Sequence, residues 1–261
     1  MKTIKKITIL TALLALVFSA STFAADPPPV DTVGTWALWH MDARTNWVSP
    51  PALPWYVHDD ASANPGRTND LAMGINNAIV GGGVYGNCIY FDGASRAMSV
   101  DGWANPNAFY FECYIKPESF DDLDQRIFEI TSAISIRFAL NSSKTHGRAL
   151  FYHYESAAAI LANTGWATKA TLQDQWLHLT ASIDPSGNKT ITMDNTTDGI
   201  ATGAVVDPAY PADPRAFIGA SRTTGSPFTG SIDEMKISAI PEPMTIALFG
   251  MGLIALIIKR K

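Results

Sequence analysis

Apolar and polar residues alternate with a period of two along several stretches in the middle of this chain. The segment ISIRFAL at residues 134–140 places four apolar residues on one face and small or polar residues on the other. The same alternation occurs in FYFECYI at residues 109–115 and in LHLTASI at residues 177–183. Because successive side chains of a strand point to opposite faces, these segments are predicted to be strands that bury one face.

Turn-forming residues separate the predicted strands. Clusters of Gly, Asn, Asp and Pro occur at residues 184–188 and at Asp198-Gly199, and such residues interrupt regular structure. The best helical candidate in the middle of the chain, residues 155–162, is no longer than about two turns. Many short strands with no helices to cover a parallel sheet predict two antiparallel sheets packed face to face. The sequence therefore predicts an all-β sandwich over residues 31–240.

The charge of the predicted domain is strongly negative. The chain has 19 bases and 24 acids, and residues 1–24 and 241–261 hold six of the bases and one of the acids. The remainder has 13 bases and 23 acids, a net charge of −10. Binding to nucleic acid requires clustered Lys and Arg to contact the phosphates, so nucleic acid is not expected as a partner.

The first 24 residues have the pattern of an export signal. Three lysines fall within the first six residues, an apolar run follows over residues 7–18, and small residues lead to Ala24. The run is too short to span a membrane, and small residues near Ala24 suit cleavage there by signal peptidase. Residues 1–24 are therefore predicted to be a signal peptide, followed by a Pro-rich spacer at residues 25–30.

The C-terminal segment, residues 241–261, has three parts in a fixed order. They are the tripeptide Pro241-Glu242-Pro243, an uncharged apolar run over residues 244–258, and the basic cluster Lys259-Arg260-Lys261. A helix of this length reaches about 22 Å and would act as a plain tail anchor if its flanking bases snorkel. The three parts together resemble the PEP-CTERM sorting signal of Gram-negative bacteria. That resemblance implies an exosortase-type membrane protease as partner, transient membrane anchoring by the C-terminal helix, and delivery to the cell envelope, outer surface or extracellular matrix.

Several segments match a family pattern in order along the chain. They are WALWHMD at 36–42, GNCIYFDG at 86–93, FYFECYIKP at 109–117, WLHL at 176–179, FIG at 217–219 and FTGSIDEMKI at 228–237. Together they resemble the laminin-G-like domain of the concanavalin A-like lectin/glucanase superfamily, a jelly roll, over essentially all of residues 31–240. Tyr114 stands where the family usually has Trp, and residues 192–195 replace the usual turn after the hairpin.

Catalytic patterns are absent from the sequence. The glucanases of this superfamily carry Glu-x-Asp-x-Glu on one strand, and that pattern does not occur here. The sequence also lacks the G-x-S-x-G and H-E-x-x-H motifs. His178 lies on the polar face of a predicted strand, where we interpret it as a cross-strand partner and not a base. The protein is therefore predicted to be non-catalytic, with a glycoside hydrolase built from acids on distant strands as a less favoured alternative.

The resemblance implies one candidate metal site. The first and last strands of such sandwiches meet, which would bring Asp42 close to Asp233, and Asp70 lies in an adjoining loop. Ca²⁺ prefers six to eight oxygen ligands, so these three residues are candidate calcium ligands. In the alternative interpretation, Asp42 ends a strand and Asp233 caps a bulge.

Aromatic residues in predicted loops are candidate sugar-binding platforms. They are Trp47, Trp55 and Tyr56 in a Pro-rich loop, Trp103 in a second loop, and Trp166 after Gly165. Sugars stack their apolar C–H faces on such rings, and loops on a rigid sandwich are suited to display them. These residues predict a polysaccharide or envelope glycan as ligand. The alternatives are that the rings pack over the mouth of the sandwich, or that the protein is a structural or adhesive matrix protein that binds other proteins.

Cys88 and Cys113 lie on predicted strands of a protein expected to be exported. An oxidising compartment permits a disulfide between them. Two buried free thiols are the alternative.

Overall fold

The computed structural model of the protein describes residues 35–41, 56–57, 71–73, 77–94, 96–99, 108–130, 133–155, 158–202, 215–221 and 225–239. All of them lie in the larger of the chain's two structural units, Asp31–Lys261. The predicted signal peptide, spacer and C-terminal sorting segment lie outside these residues. Within the described ranges, no helix is long and apolar enough to cross a membrane.

The described residues form seventeen strands and one short helix. In chain order the strands are β1 (Thr35–Trp39), β2 (Tyr56–Val57), β3 (Leu71–Met73), β4 (Ala78–Gly81), β5 (Asn87–Asp92), β6 (Ala97–Ser99), β7 (Phe109–Pro117), β8 (Asp124–Ile130), β9 (Ile134–Leu140), β10 (His146–Glu155), β11 (Ala158–Asn163), β12 (Ala167–Thr168), β13 (Leu177–Ile183), β14 (Lys189–Met193), β15 (Gly199–Ala201), β16 (Ala216–Ile218) and β17 (Thr229–Ala239). The helix, α1, covers Lys169–Leu172 and lies between β12 and β13.

The strands make two sheets with antiparallel pairing throughout the described part of the chain. Sheet A has the order β15-β14-β13-β7-β17-β5-β4, and β1 pairs with the second half of β17. Sheet B has the order β11-β10-β9-β8-β16-β6-β3-β2, and β12 pairs with the start of β10. The prediction of an all-β sandwich of antiparallel sheets is confirmed, and the strand order is consistent with a concanavalin A-like jelly roll.

The core lies between the two sheets and is built from the predicted apolar faces. In β13, Leu177, Leu179, Ala181 and Ile183 are all buried in it, as the alternation predicted. Across the sandwich, Phe111 of sheet A packs against Phe128 of sheet B with ring centroids 5.1 Å apart.

The segment named as the best helical candidate, residues 155–162, is extended in its described part, in agreement with the prediction that no helices cover the sheets. Glu155 ends β10 and pairs with Ala158, at the start of β11. The pairing continues along both strands as far as Leu150 and Asn163. Alanine has the highest helix propensity, but propensity is a weak preference that the hydrogen bonds and packing of a sheet override.

Candidate functional site

Asp233, the described member of the candidate calcium site, lies at a bulge in the centre of sheet A. Its side chain is fully buried, and Oδ2 accepts the backbone N–H of Val84 at 2.7 Å and that of Tyr85 at 3.4 Å. Oδ1 accepts the N–H of Glu234 at 2.9 Å, where φ is +48° and the β17–β7 register shifts. These contacts fit a structural role in which the carboxylate satisfies backbone donors.

The other two candidate calcium ligands, Asp42 and Asp70, lie outside the described residues. Among the residues that are described, no three His, Cys, Asp or Glu side chains are grouped closely enough to hold a metal ion. The calcium site stays a prediction.

Both cysteines are buried free thiols, which is the second of the two alternatives. Cys88 lies on β5 and Cys113 on β7, and β17 runs between these strands. Cys113 belongs to the core, whereas Cys88 lies beside Val80, whose carbonyl oxygen accepts its thiol at 3.7 Å. The two residues are therefore not cross-strand neighbours, and a disulfide needs Cα atoms about 5.5 Å apart. Burial raises the pKa of both thiols, which disfavours reactivity.

The outer face of sheet A carries a network centred on Glu112. The carboxylate accepts the hydroxyl of Tyr110 at 3.1 Å and lies 3.7 Å from the Lys236 ammonium and 3.8 Å from His178 Nε2. His178 also stacks on Tyr114, its partner in the β13–β7 register, with ring centroids 4.7 Å apart. These contacts agree with the interpretation of His178 as a cross-strand partner.

The network makes stability depend on pH. Burial alone raises the pKa of Glu112, but His178, Lys236 and Tyr110 together outweigh it, so the pKa lies below its ordinary value. Such a group stabilises the fold above its unfolded pKa of about 4.3 and loses this contribution as pH falls through the folded pKa. We expect Glu112→Gln to lower the free energy of unfolding by about 1 kcal/mol at neutral pH.

Urea unfolding as a function of pH checks this expectation. The difference between Glu112→Gln and the parent should shrink as the pH falls below about 4.3. Asp122→Asn, at an exposed loop position, is the control and should follow the parent at every pH. A Glu112→Gln difference of constant size down to acid pH would contradict the assignment.

The outer face of sheet B carries a different set of side chains. In β9 and β10, the residues that alternate with core residues Ile136 and Phe151 point away from the core. Among the described residues, four arginines lie on this face, with aromatic, amide, hydroxyl and carboxylate neighbours. We call this set the arginine face: Arg96, Asp124, Arg126, Glu129, Ser135, Arg137, Arg148, Tyr152, Asn163, Trp166 and Phe217.

Three of the four arginines lie over aromatic rings. The guanidinium carbon is 4.9 Å from the ring centroid of Phe217 for Arg96, 4.2 Å from that of Tyr152 for Arg137, and 4.3 Å from that of Trp166 for Arg148. A cation held over an aromatic face is attracted by the ring quadrupole and is fixed in orientation. The arginine face thus combines planar cations and aromatic rings, of which Arg137 and Phe217 are buried and Trp166 is exposed.

Carboxylates accompany two of the arginines. Arg137 Nη1 lies 2.6 Å from Asp124 Oδ2, and Arg137 Nε donates to Ser135 Oγ at 2.9 Å. Arg126 forms an ion pair with Glu129, three residues along β8. These partners allow β9 to be buried on both faces, whereas its alternation predicted only one buried face.

Trp166 is the most exposed aromatic residue of this face, at 45%. It lies in the loop between β11 and β12. Arg148 beneath its ring donates from Nη1 to Asn163 Oδ1 at 3.0 Å. An exposed indole, a guanidinium and a side-chain amide therefore lie within one small area.

Of the predicted sugar-binding residues, only the side chain of Trp166 is described. Trp47, Trp55 and Trp103 lie outside the described residues, and Tyr56 is described only as part of β2, where it pairs with Ala72. The structure thus places Trp166 on the outer face of a sheet, beside Arg148, which was not among the residues predicted from the sequence.

The sequence pattern partly indicates the residues of the arginine face that were not predicted. The alternation of β9 already placed Ser135 and Arg137 on its outward row. The same alternation in β10 places Arg148 and Tyr152 outward, but the strand itself was not recognised. The pairing of β8, β9 and β10 that brings the arginines together requires the strand order, which periodicity does not give.

Comparison with solved structures shows the same fold. Domain 4 of AbnA, a GH43 extracellular arabinanase from Geobacillus stearothermophilus solved with arabinotriose, aligns with a TM-score of 0.51 and 18% identity, covering 79% of this chain and 92% of that one. The binding domain of Paraclostridial Mosquitocidal Protein 1 aligns with a TM-score of 0.53 and 14% identity, covering 83% and 52%. The binding domain of Botulinum Neurotoxin DC, solved with SialylT, aligns with a TM-score of 0.50 and 11% identity, covering 75% and 48%. This chain spans about half the length of these two toxin domains.

No curated protein matches the chain. The sequence profile of the concanavalin A-like lectin/glucanases superfamily matches residues 91–241, which is more than half of the chain. The match begins in β5 and runs through β17, so it covers strands of both sheets, including the strands of sheet B that carry the arginine face. The chain belongs to the concanavalin A-like lectin/glucanases superfamily.

Proposed function

We propose that this protein is an exported, non-catalytic module of the cell surface or extracellular matrix that binds carbohydrate through its arginine face. The observation that carries the proposal is the group formed by the exposed Trp166 ring, the Arg148 guanidinium below it and the Asn163 amide beside it. Aromatic rings provide a surface for the C–H face of a sugar, and a few polar groups fix its hydroxyls.

Two structures that share the fold support a sugar ligand. The arabinanase domain was solved with arabinotriose, and the neurotoxin binding domain with SialylT. Their sequence identities to this chain are 18% and 11%. A carbohydrate ligand for this chain is therefore our proposal.

The arrangement of the acids supports a non-catalytic role. A retaining glycosidase needs two carboxyl groups about 5–5.5 Å apart, one of them able to donate a proton. On the arginine face, Asp124 lies against Arg137 and Glu129 lies against Arg126, an arrangement suited to positioning arginines. A reducing-sugar assay with the polysaccharides that bind would detect hydrolysis and overturn this part of the proposal.

Export and sorting are part of the same proposal and rest on the two terminal sequence patterns. Signal peptidase would remove residues 1–24. An exosortase-type protease would recognise Pro241-Glu242-Pro243 and the basic cluster at residues 259–261. The test is to express the protein in a Gram-negative host that has its exosortase and in the same host without it, and to measure the intact mass of the product. Only the host with the exosortase should give a chain shortened near residue 241.

Trp166→Ala tests the binding site. Loss of the stacking surface is expected to weaken binding of the best ligand from a glycan array about tenfold, with the fold unchanged. Isothermal titration measures the change, and Trp55→Ala and Trp103→Ala in the same assay test the predicted loop platforms. Ile200→Ala is the control, since Ile200 is an apolar residue 72% exposed on β15 of sheet A.

Two results would contradict this assignment. Unchanged affinity in Trp166→Ala would remove the arginine face as the site. Capture of matrix proteins with no glycan bound would favour the structural or adhesive alternative.

A further inference from the structure

The arginine face has a charge opposite to that of the domain. Residues 25–240 contain 13 bases and 23 acids, whereas the arginine face, within the described residues, combines four arginines with two carboxylates. The electrostatic potential at a surface is set mainly by nearby charges, because salt screens the distant ones. A locally positive region on a protein of net negative charge is suited to a negatively charged ligand.

The arginines are placed at a cost to the sheet. Arg126 and Arg137 are direct partners in the β8–β9 register. Like charges directly opposite each other on neighbouring strands are destabilising. Glu129 neutralises the charge of Arg126, and Asp124 neutralises that of Arg137. Two neutral residues at these positions would need no such partners. Such local conflicts with sheet stability are typical of functional surfaces.

Arg148 differs from these two arginines in its partners. Within the described part of the chain, its guanidinium contacts the Asn163 amide and the Trp166 ring, both of which are neutral. Its Nε is buried and has no hydrogen-bond partner among the described residues. The ring and the amide hold the guanidinium in place, so little rotamer freedom remains to be lost when an anion binds. Arg148 is therefore a positive charge that is already oriented for a ligand.

We propose that the ligand of the arginine face is an anionic polysaccharide, and that Arg148 selects for its acidic groups. This inference rests on the proposed carbohydrate-binding function. A sugar ring would stack on the exposed part of Trp166 while its carboxylate or sulfate oxygens accept hydrogen bonds from Arg148. Guanidinium–oxyanion hydrogen bonds are stronger than those to neutral hydroxyls, so a neutral polysaccharide of similar backbone would bind more weakly.

Binding of the full chain to four polymers tests the proposal. The probes are alginate and polygalacturonate, which carry carboxylates, dextran sulfate, which carries sulfates, and neutral dextran. We expect at least one of the anionic polymers to bind about tenfold or more tightly than dextran. The affinity should also fall as the salt concentration rises. The carboxylate and sulfate arms show which oxyanion is preferred.

Two variants of Arg148 test whether this residue is responsible for the preference for anionic polymers. Arg148→Met removes the charge but keeps a long side chain against Trp166, and is expected to weaken binding of the anionic polymer about tenfold. Arg148→Lys keeps the charge without the planar fork and should retain part of the affinity. Lys116→Met, on β7 of sheet A, removes a positive charge from the other sheet and should bind as the parent does.

The outcomes separate this inference from the function on which it rests. Equal binding of dextran and the anionic polymers, or salt-independent binding of the unmodified protein, would overturn the anionic ligand while leaving carbohydrate binding in place. Unchanged anionic-polymer affinity in Arg148→Met, with native circular dichroism, would overturn the role of Arg148. Failure to bind any glycan on an array would overturn the proposed function itself. The salt dependence is measured without any substitution, so the test holds even if a variant fails to fold.

Discussion

Replacing Asp233 with alanine is expected to lower the free energy of unfolding by about 3 kcal/mol or more. The carboxylate is fully buried and accepts three backbone N–H groups, those of Val84, Tyr85 and Glu234. Each donor left without an acceptor in the interior costs about 1–3 kcal/mol, and hydrogen bonds to a charged acceptor are the stronger ones. A Cβ at Gly83 would lie 2.7 Å from Asp233 Oδ2, so the loop is fitted closely around this carboxylate.

Urea unfolding of Asp233→Ala and Asp233→Asn measures the effect. The asparagine keeps one acceptor oxygen and should recover part of the loss. Asp122→Ala, in an exposed loop, is the control and should change stability little. Repeating the measurement with millimolar Ca²⁺ addresses the metal hypothesis. A structural carboxylate predicts the same loss in both conditions, whereas a loss confined to the calcium-containing sample would contradict the structural role.

The fold was predictable because its main signal is local. Each strand that buries one face repeats apolar residues every second position, and this property can be read from short segments such as residues 177–183. The prediction was incomplete where a strand is buried on both faces. The outward row of β9 contains Ser135, Arg137 and Ala139, and all three are buried. Their burial depends on side chains from β8 and β10, which no local pattern reveals.

The candidate site was less predictable for a related reason. Trp166 could be singled out, because an aromatic residue after Gly165 in a polar context is visible in the sequence. Its importance comes from Arg148, eighteen positions earlier in the chain, and from Asn163 on β11. These residues meet because β10 pairs with β11 on one part of its length and with β12 on another. Sequence periodicity predicts that each strand exists but not which strands are neighbours.

The predicted roles of Asp233 and the cysteines show the same limitation. An acid in the last strand and two strand cysteines are compatible with a metal site and a disulfide when each residue is considered alone. In the structure, β17 lies between β5 and β7 and separates Cys88 from Cys113. The bulge in β17 directs the carboxylate of Asp233 to backbone donors of the β4–β5 turn. Both outcomes depend on the central position of β17 in sheet A.

Gly219→Ala is expected to destabilise the protein by about 3–4 kcal/mol, because two costs combine at this position. Gly219 has φ of +78°, a conformation that L-residues with a Cβ adopt at a cost of about 1–2 kcal/mol. A Cβ there would also overlap the ring of Phe91, which is fully buried in the core. The backbone cannot move away easily, since Gly219 donates to Ile127 at 3.0 Å and accepts from Phe228 at 2.7 Å. Overpacking of this kind adds about 1–3 kcal/mol.

Alanine variants at two other glycines separate the cost of the positive φ from the cost of overpacking. Gly82 also has a positive φ, +90°, but a Cβ there would meet no atom of the described residues within 4 Å. Gly82→Ala should therefore show only the backbone cost, about 1–2 kcal/mol. Gly81 has open space and no positive φ, so Gly81→Ala should be nearly neutral. Urea unfolding of the three variants should give Gly219→Ala the largest loss by a clear margin. An equal loss in Gly219→Ala and Gly82→Ala would mean that Phe91 can move aside, and that the corner after β16 is not fixed by close packing against the core.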